Sequence, residues 1–138
     1  MKIESEKDGR RGLRGNMRLV DTNIFIDHLR NYSQATIFFE SLDRENIFSA
    51  ITEAELVSGQ QCALPGKKND VLQFLGHWKK IEVTNQIAVL AGDIVREHSI
   101  ELADAIIAAT ALIHKAELLT RNVKHFSMIK NLRVKAPY

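Results

Sequence analysis

The chain has 138 residues, 45% of them apolar and 26% charged, which suits one domain built around a single layered core. Its one cysteine, Cys62, excludes a disulfide framework and a cysteine-ligated zinc site within the chain, no apolar run is long enough to span a bilayer, and the charged N-terminus lacks the apolar segment of a secretory signal, so a cytoplasmic location is expected. The net charge of +2 is uneven: residues 17–114 hold eight basic and thirteen acidic side chains, whereas residues 115–138 hold six basic ones against Glu117 alone, a segment that phosphate backbones attract or that simply forms a solvated basic face.

Residues 1–16 are polar, rich in Gly and Arg, and without apolar periodicity, which predicts a flexible extension on a domain spanning residues 17–138. The domain opens with a short strand, Arg18–Asp21, that feeds a helix over Asn23–Arg30, with a second helix over Gln34–Leu42. A strand at Ile47–Ala50 leads into a helix over Thr52–Gln60, and Pro65-Gly66 marks a loop. Val71, Leu72, Leu75 and Trp78 recur at helical spacing and predict a helix over Asp70–Lys79. Then come a strand at Ile81–Val83, a helix over Gln86–His98 and a strongly apolar, central helix over Asp104–Lys115. Strands at Leu118–Thr120 and Leu132–Val134 close the chain. Such alternation predicts an α/β fold, a parallel sheet with helices on both faces in three α/β/α layers.

In an open parallel sheet, ligands bind outside the carboxyl ends of the strands. Asp21 ends the first strand and Asn122 follows a later one, Glu55 lies early in a helix after a strand, and Asp104 opens the apolar helix. Each has a structural role available: Asp21 as a helix cap, Thr52 and Glu55 as a capping box, Asp104 as an N-cap or first-turn acid, and Asn122 as a turn residue. Brought together, three carboxylates repel one another, and such a cluster of hard oxygen donors suits Mg²⁺ or Mn²⁺.

The segments VDTNIFIDHLR, SAITEAELVSG, LADAIIAATALIHKAELLTRNVKHF and NLRV resemble, in order and spacing, the successive motifs of PIN-domain proteins, especially VapC-type toxins, over nearly all of Arg18–Val134. The resemblance implies Asp21, Glu55, Asp104 and Asn122 as the catalytic set, with Asp21, Asp104 and Glu55 as metal ligands. Thr22, Asn23 and Thr120 match supporting polar residues, and Glu53 points elsewhere. Many members carry a further acid where this chain has His125, a departure that weakens a second metal site. The resemblance implies metal-assisted hydrolysis of RNA phosphodiesters, with Arg121 and Lys124 as phosphate contacts or as ordinary surface charge. It also implies a homodimer and a cognate antitoxin partner.

Other residues read as structural. Trp78, Phe38, Phe39 and Phe74 suit a core or dimer interface better than base stacking. His28, His77, His98 and His114 lack metal-ligand spacing, Asp27 reads as a solvated acid on the first helix, and Cys62 lacks a catalytic partner. A catalytically weak or inactive module of the same fold, binding nucleic acid or protein, is the alternative, favoured by Asn122 and His125. A haloacid-dehalogenase-type phosphatase would need an acid at Asn23, and a two-component receiver an adjacent acidic pair near Asp21.

Overall fold

The computed structural model describes residues 17–42 and 45–138. The expected extension over residues 1–16 lies outside the described residues. In chain order the elements are β1 (Arg18–Val20), α1 (Thr22–Leu29), α2 (Ser33–Glu40), β2 (Asn46–Ser49), α3 (Ala50–Val57), a 3₁₀ turn (Gln60–Ala63), α4 (Lys67–Leu75), β3 (Lys79–Ile81), α5 (Asn85–His98), α6 (Leu102–His114), β4 (Glu117–Leu119), α7 (Val123–Phe126) and β5 (Val134–Lys135). All strand pairs are parallel, in the order β3-β2-β1-β4-β5. The chain builds outward from β1 to β3, then returns to the other side of β1 for β4 and β5. The order therefore reverses between β1 and β4, and a crevice opens at the carboxyl ends of those two strands.

Period-two alternation along the strands divides the core in two. Leu19, Ile47 and Leu118 face one side, where they pack with Ile87, Ala91 and Ile94 of α5 and with the small residues of α6. Val20, Phe48 and Leu119 face the other, against Ile24 and Phe25 of α1, Phe38 of α2, Leu56 of α3 and Leu75 of α4. Ala105, Ala108, Ala109 and Ala111 are fully buried on α6, and their small side chains let that helix lie close to its neighbours. The three α/β/α layers expected from the alternation are present.

Boundaries shift where local pattern competes with packing. Helix α4 starts earlier than expected and stops at Leu75, with Gly76 as its C-cap, so Trp78 packs from a turn. The following strand moves to Lys79–Ile81, pairing Lys79 with Ile47 and Ile81 with Ser49. It is an edge strand, and its lysines suit an edge that must not recruit another chain. The capping box at Thr52 does not form: α3 starts two residues earlier, and the Ser49 side chain accepts from the Ile51 N–H. Thr52 is thereby inside the helix and fully buried, which frees its hydroxyl for the crevice.

Candidate active site

Asp21 leaves β1 as the N-cap of α1 and is only 5% exposed. Its backbone N–H still donates to the Leu119 carbonyl at 2.9 Å, extending the β1–β4 ladder by one residue. That ladder places Asp21 beside Thr120, whose hydroxyl donates to Asp21 Oδ2 at 2.7 Å. The Thr22 N–H donates to Oδ1 at 2.8 Å, so the capping role holds alongside any chemical one. Thr120 Oγ1 in turn accepts from the Asn122 N–H at 3.0 Å and from Asn23 Nδ2 at 3.4 Å. Asn23 therefore supports Asp21 through Thr120, and its own Oδ1 is buried without a hydrogen-bond partner.

A second chain of hydroxyls reaches α3. Thr22 Oγ1 donates to Glu55 Oε1 at 2.7 Å and lies 2.8 Å from Thr52 Oγ1. A hydroxyl has one proton, so Thr52 must donate to Thr22 when Thr22 donates to Glu55. Glu53, two positions before Glu55, points away and pairs with Lys80 Nζ at 3.2 Å, as its helical position requires. Asp104 occupies the first turn of α6, where its charge favours the helix dipole; the N-cap position belongs to Glu101. His125 Nε2 meets Asp104 Oδ2 at 3.2 Å, so the residue that departs from the family pattern holds one of the acids.

The carboxyl of Asp21 is raised from 3.8 to about 6, first because burial penalises its charge and further because Asp104 and Glu55 are both negative. The hydrogen bonds from Thr120 and Thr22 oppose that rise without cancelling it. Among the described residues, the charges acting on Asp21 are those of the acids Asp104 and Glu55. Among the described residues, no three His, Cys, Asp or Glu side chains are gathered closely enough to hold one ion as they stand. Asp104 is turned toward His125, and Glu55 toward Thr22. The donor chemistry still fits a hard cation: the buried carboxylate oxygens of Asp21, an orphaned amide oxygen on Asn23 and, among the described residues, no basic side chain pairing with Asp21.

Asn122 lies exposed at the N-cap of α7 without a side-chain capping bond, and Lys124 is exposed on the same short helix. Arg121 does not simply project into solvent. Its Nη1 donates to Asp27 Oδ2 at 3.0 Å, and its guanidinium lies 5.4 Å from the Tyr32 ring centre and 5.8 Å from that of Tyr138. Tyr138 Oη donates to the same Asp27 oxygen at 2.7 Å. The expectation of a solvated Asp27 is thus corrected: its side chain is 19% exposed and anchors two partners from the C-terminal region. Sequence reading missed this cluster because its members are about a hundred residues apart. Trp78, Phe39 and Phe74 pack around Phe25 as core, and His28 stacks on Phe74 at 4.6 Å, where burial lowers its proton affinity.

The model of the PIN domain matches residues 18–131, which include every one of these acids and their supporting residues. The chain belongs to the PIN-domain family. It is similar to Ribonuclease VapC10 of Mycobacterium tuberculosis, 33% identical over 124 residues, covering 85% of this chain and 91% of that protein. It is also 33% identical over 129 residues to Ribonuclease VapC19 of the same organism, covering 85% and 98%. Among solved structures, a chain of a toxin–antitoxin complex from Klebsiella pneumoniae superimposes with a TM-score of 0.75 at 33% identity, covering 88% of this chain and 98% of that one. Around this PIN-domain crevice, Ile26, Leu29, Leu56 and Val71 line a groove of about 570 Å³ that Glu55 borders. No helix among the described residues is long and apolar enough to cross a membrane.

Proposed function

We propose that this PIN domain is an endoribonuclease that hydrolyses RNA phosphodiester bonds with Mg²⁺ or Mn²⁺, acting as the toxin of a VapBC-type pair. The observation that carries the reading is Asp21: a buried carboxylate at the strand ends, with two further acids, Asp104 and Glu55, acting on it. Its similarity to the VapC ribonucleases supports the same activity. Asp21, Asp104 and Glu55 would hold the ion, directly or through water, and the ion would supply an acidified water and neutralise charge developing on the phosphate. Thr22 and Thr120 fix Asp21 from both sides, so its oxygens are oriented before substrate arrives. Thr22 takes Glu55 Oε1, leaving Oε2 to accept a proton from the attacking water. The exposed Asn122 amide and Lys124 ammonium, close to Thr120 in sequence, would be free to meet substrate phosphates.

The antitoxin would lay an apolar segment into the groove lined by Ile26, Leu29, Leu56 and Val71 and present a basic side chain to the carboxylates. The toxin would be a homodimer. Phe38 is buried in the core, whereas Phe39, Phe74 and Trp78 are only partly buried against it. The deciding experiment incubates purified chain with RNA in Mg²⁺, in Mn²⁺ and in EDTA. Cleavage is expected in either ion and in neither EDTA nor the Asp104→Asn variant. Cleavage that survives EDTA, or full activity in Asp104→Asn, overturns the proposal.

A further inference from the structure

Tyr32 sits at the N-cap of α2 with 41% of its surface exposed, and the Arg121 guanidinium lies over its ring, 5.4 Å from the ring centre. Beside it stands Arg121, with 48% of its side chain exposed. Arg121 is flanked in sequence by Thr120, which bonds Asp21, and by Asn122. The pair is built rather than fortuitous. Asp27 Oδ2 holds the guanidinium through Nη1 and also accepts from Tyr138 Oη, and the Tyr32 and Tyr138 ring centres are 5.8 Å apart. Tyr32 Oη donates to Gln34 Oε1 at 2.7 Å, which restrains the ring at its outer end. A part-exposed aromatic ring beside a fixed guanidinium is the combination that takes an unstacked base and its phosphate together. Asp27 lies six residues along from Asp21 on the first helix, roughly 9 Å at about 1.5 Å per residue, or two to three stacked nucleotides at about 3.4 Å each.

We infer that Tyr32 and Arg121 form a nucleotide subsite two to three nucleotides from the scissile bond, Tyr32 stacking on an unpaired base there and Arg121 meeting its phosphate. The inference rests on the ribonuclease reading and deepens it by assigning a base-stacking position away from the carboxylates. Asp27 and Tyr138 are positioning residues here: they hold the guanidinium beside the ring and touch no substrate. Stacking accepts any base, so this subsite favours unpaired over duplex RNA without dictating sequence.

The test uses the full chain carrying Asp21→Asn, so that RNA is bound without being cut, and a short fluorescein-labelled oligouridylate followed by anisotropy. Adding Tyr32→Ala should weaken binding about 5- to 100-fold, the range expected for losing one stacked base. Tyr32→Phe, which keeps the ring, should stay within about twofold. Arg121→Gln should lower the salt slope of the logarithmic affinity by about 0.7. Tyr32→Trp gives a direct signal: its added indole emission should be quenched by the oligonucleotide, while the emission of Trp78 in the parent should not change. If the parent binds and Tyr32→Ala binds equally well, the subsite is wrong and the ribonuclease reading stands. If the parent binds no RNA in any salt, both fail. If Tyr32→Ala loses a protein partner but not RNA, the surface is a protein-docking face and the subsite is overturned.

Discussion

Replacing Asp21 by Asn should stabilise the metal-free protein while abolishing its activity. The folded carboxyl is raised from 3.8 to about 6, and at about 1.4 kcal/mol per pH unit the ionised side chain costs about 3 kcal/mol at neutral pH. An amide removes that charge penalty. It also disturbs the hydrogen bonds, because Oδ1 and Oδ2 both accept, from the Thr22 N–H and the Thr120 hydroxyl. One end of an amide is a donor, and Thr120 Oγ1 already accepts from Asn122 and Asn23, so one contact is lost at about 1 kcal/mol. The net gain is then about 1–2 kcal/mol, or roughly 4–8 °C of melting temperature at about 4 °C per kcal/mol for a domain of this size. The sign with pH follows from a folded pKa above the unfolded one. Asp21 favours folding fully below 3.8, loses that contribution as pH rises through about 6, and carries its full penalty at pH 7 and above. The melting difference between Asp21→Asn and the parent should therefore be largest above pH 7 and shrink toward pH 4. Differential scanning calorimetry in EDTA across that range measures it. An Asp21→Asn variant that melts below the parent at pH 7.5, or a difference that does not change with pH, would refute the account of Asp21 as a buried, mutually repelled acid. Saturating Mn²⁺ should reverse the order, because only the parent gains stability from binding the ion.

Three further outcomes are expected. Tyr138→Phe deletes the hydroxyl on Asp27 Oδ2 and should cost about 1 kcal/mol of stability; urea melts check it, and no loss would mean that the C-terminal residue adds nothing to this corner. His125→Asp replaces the partner of Asp104 with a carboxylate, so calorimetric titration should find more Mn²⁺ or Mg²⁺ bound per chain and a smaller preference for Mn²⁺; unchanged stoichiometry and preference would place His125 outside the metal's reach. Light scattering at micromolar protein should give twice the 15.6 kDa chain mass, and a monomer there would remove the homodimer.

The architecture was legible in the sequence because its signals are local. Alternating strand and helix periods, β-rich triplets such as Arg18–Val20 and the alanine-rich Leu102–His114 each report their own element, and parallel order follows from connections that need crossover helices. The acids were legible for a related reason: a residue just past a strand or in the first turn of the next helix must lie at the carboxyl edge of the sheet. What the folded chain alone decided was which side chain answers which. Thr52 has the spacing of a cap for its own helix, yet it bonds Thr22, thirty positions away, because Ser49 starts the helix first. Asp27 has the pattern of a solvated acid, yet Arg121 and Tyr138, 94 and 111 positions distant, converge on one of its oxygens. The proton affinity of Asp21 depends on burial by layers contributed from the whole chain, on acids from α3 and α6, and on a hydroxyl 99 residues away. Periodicity carries which face a residue occupies; hydrogen-bond choice and desolvation depend on distances that exist only once the sheet has closed.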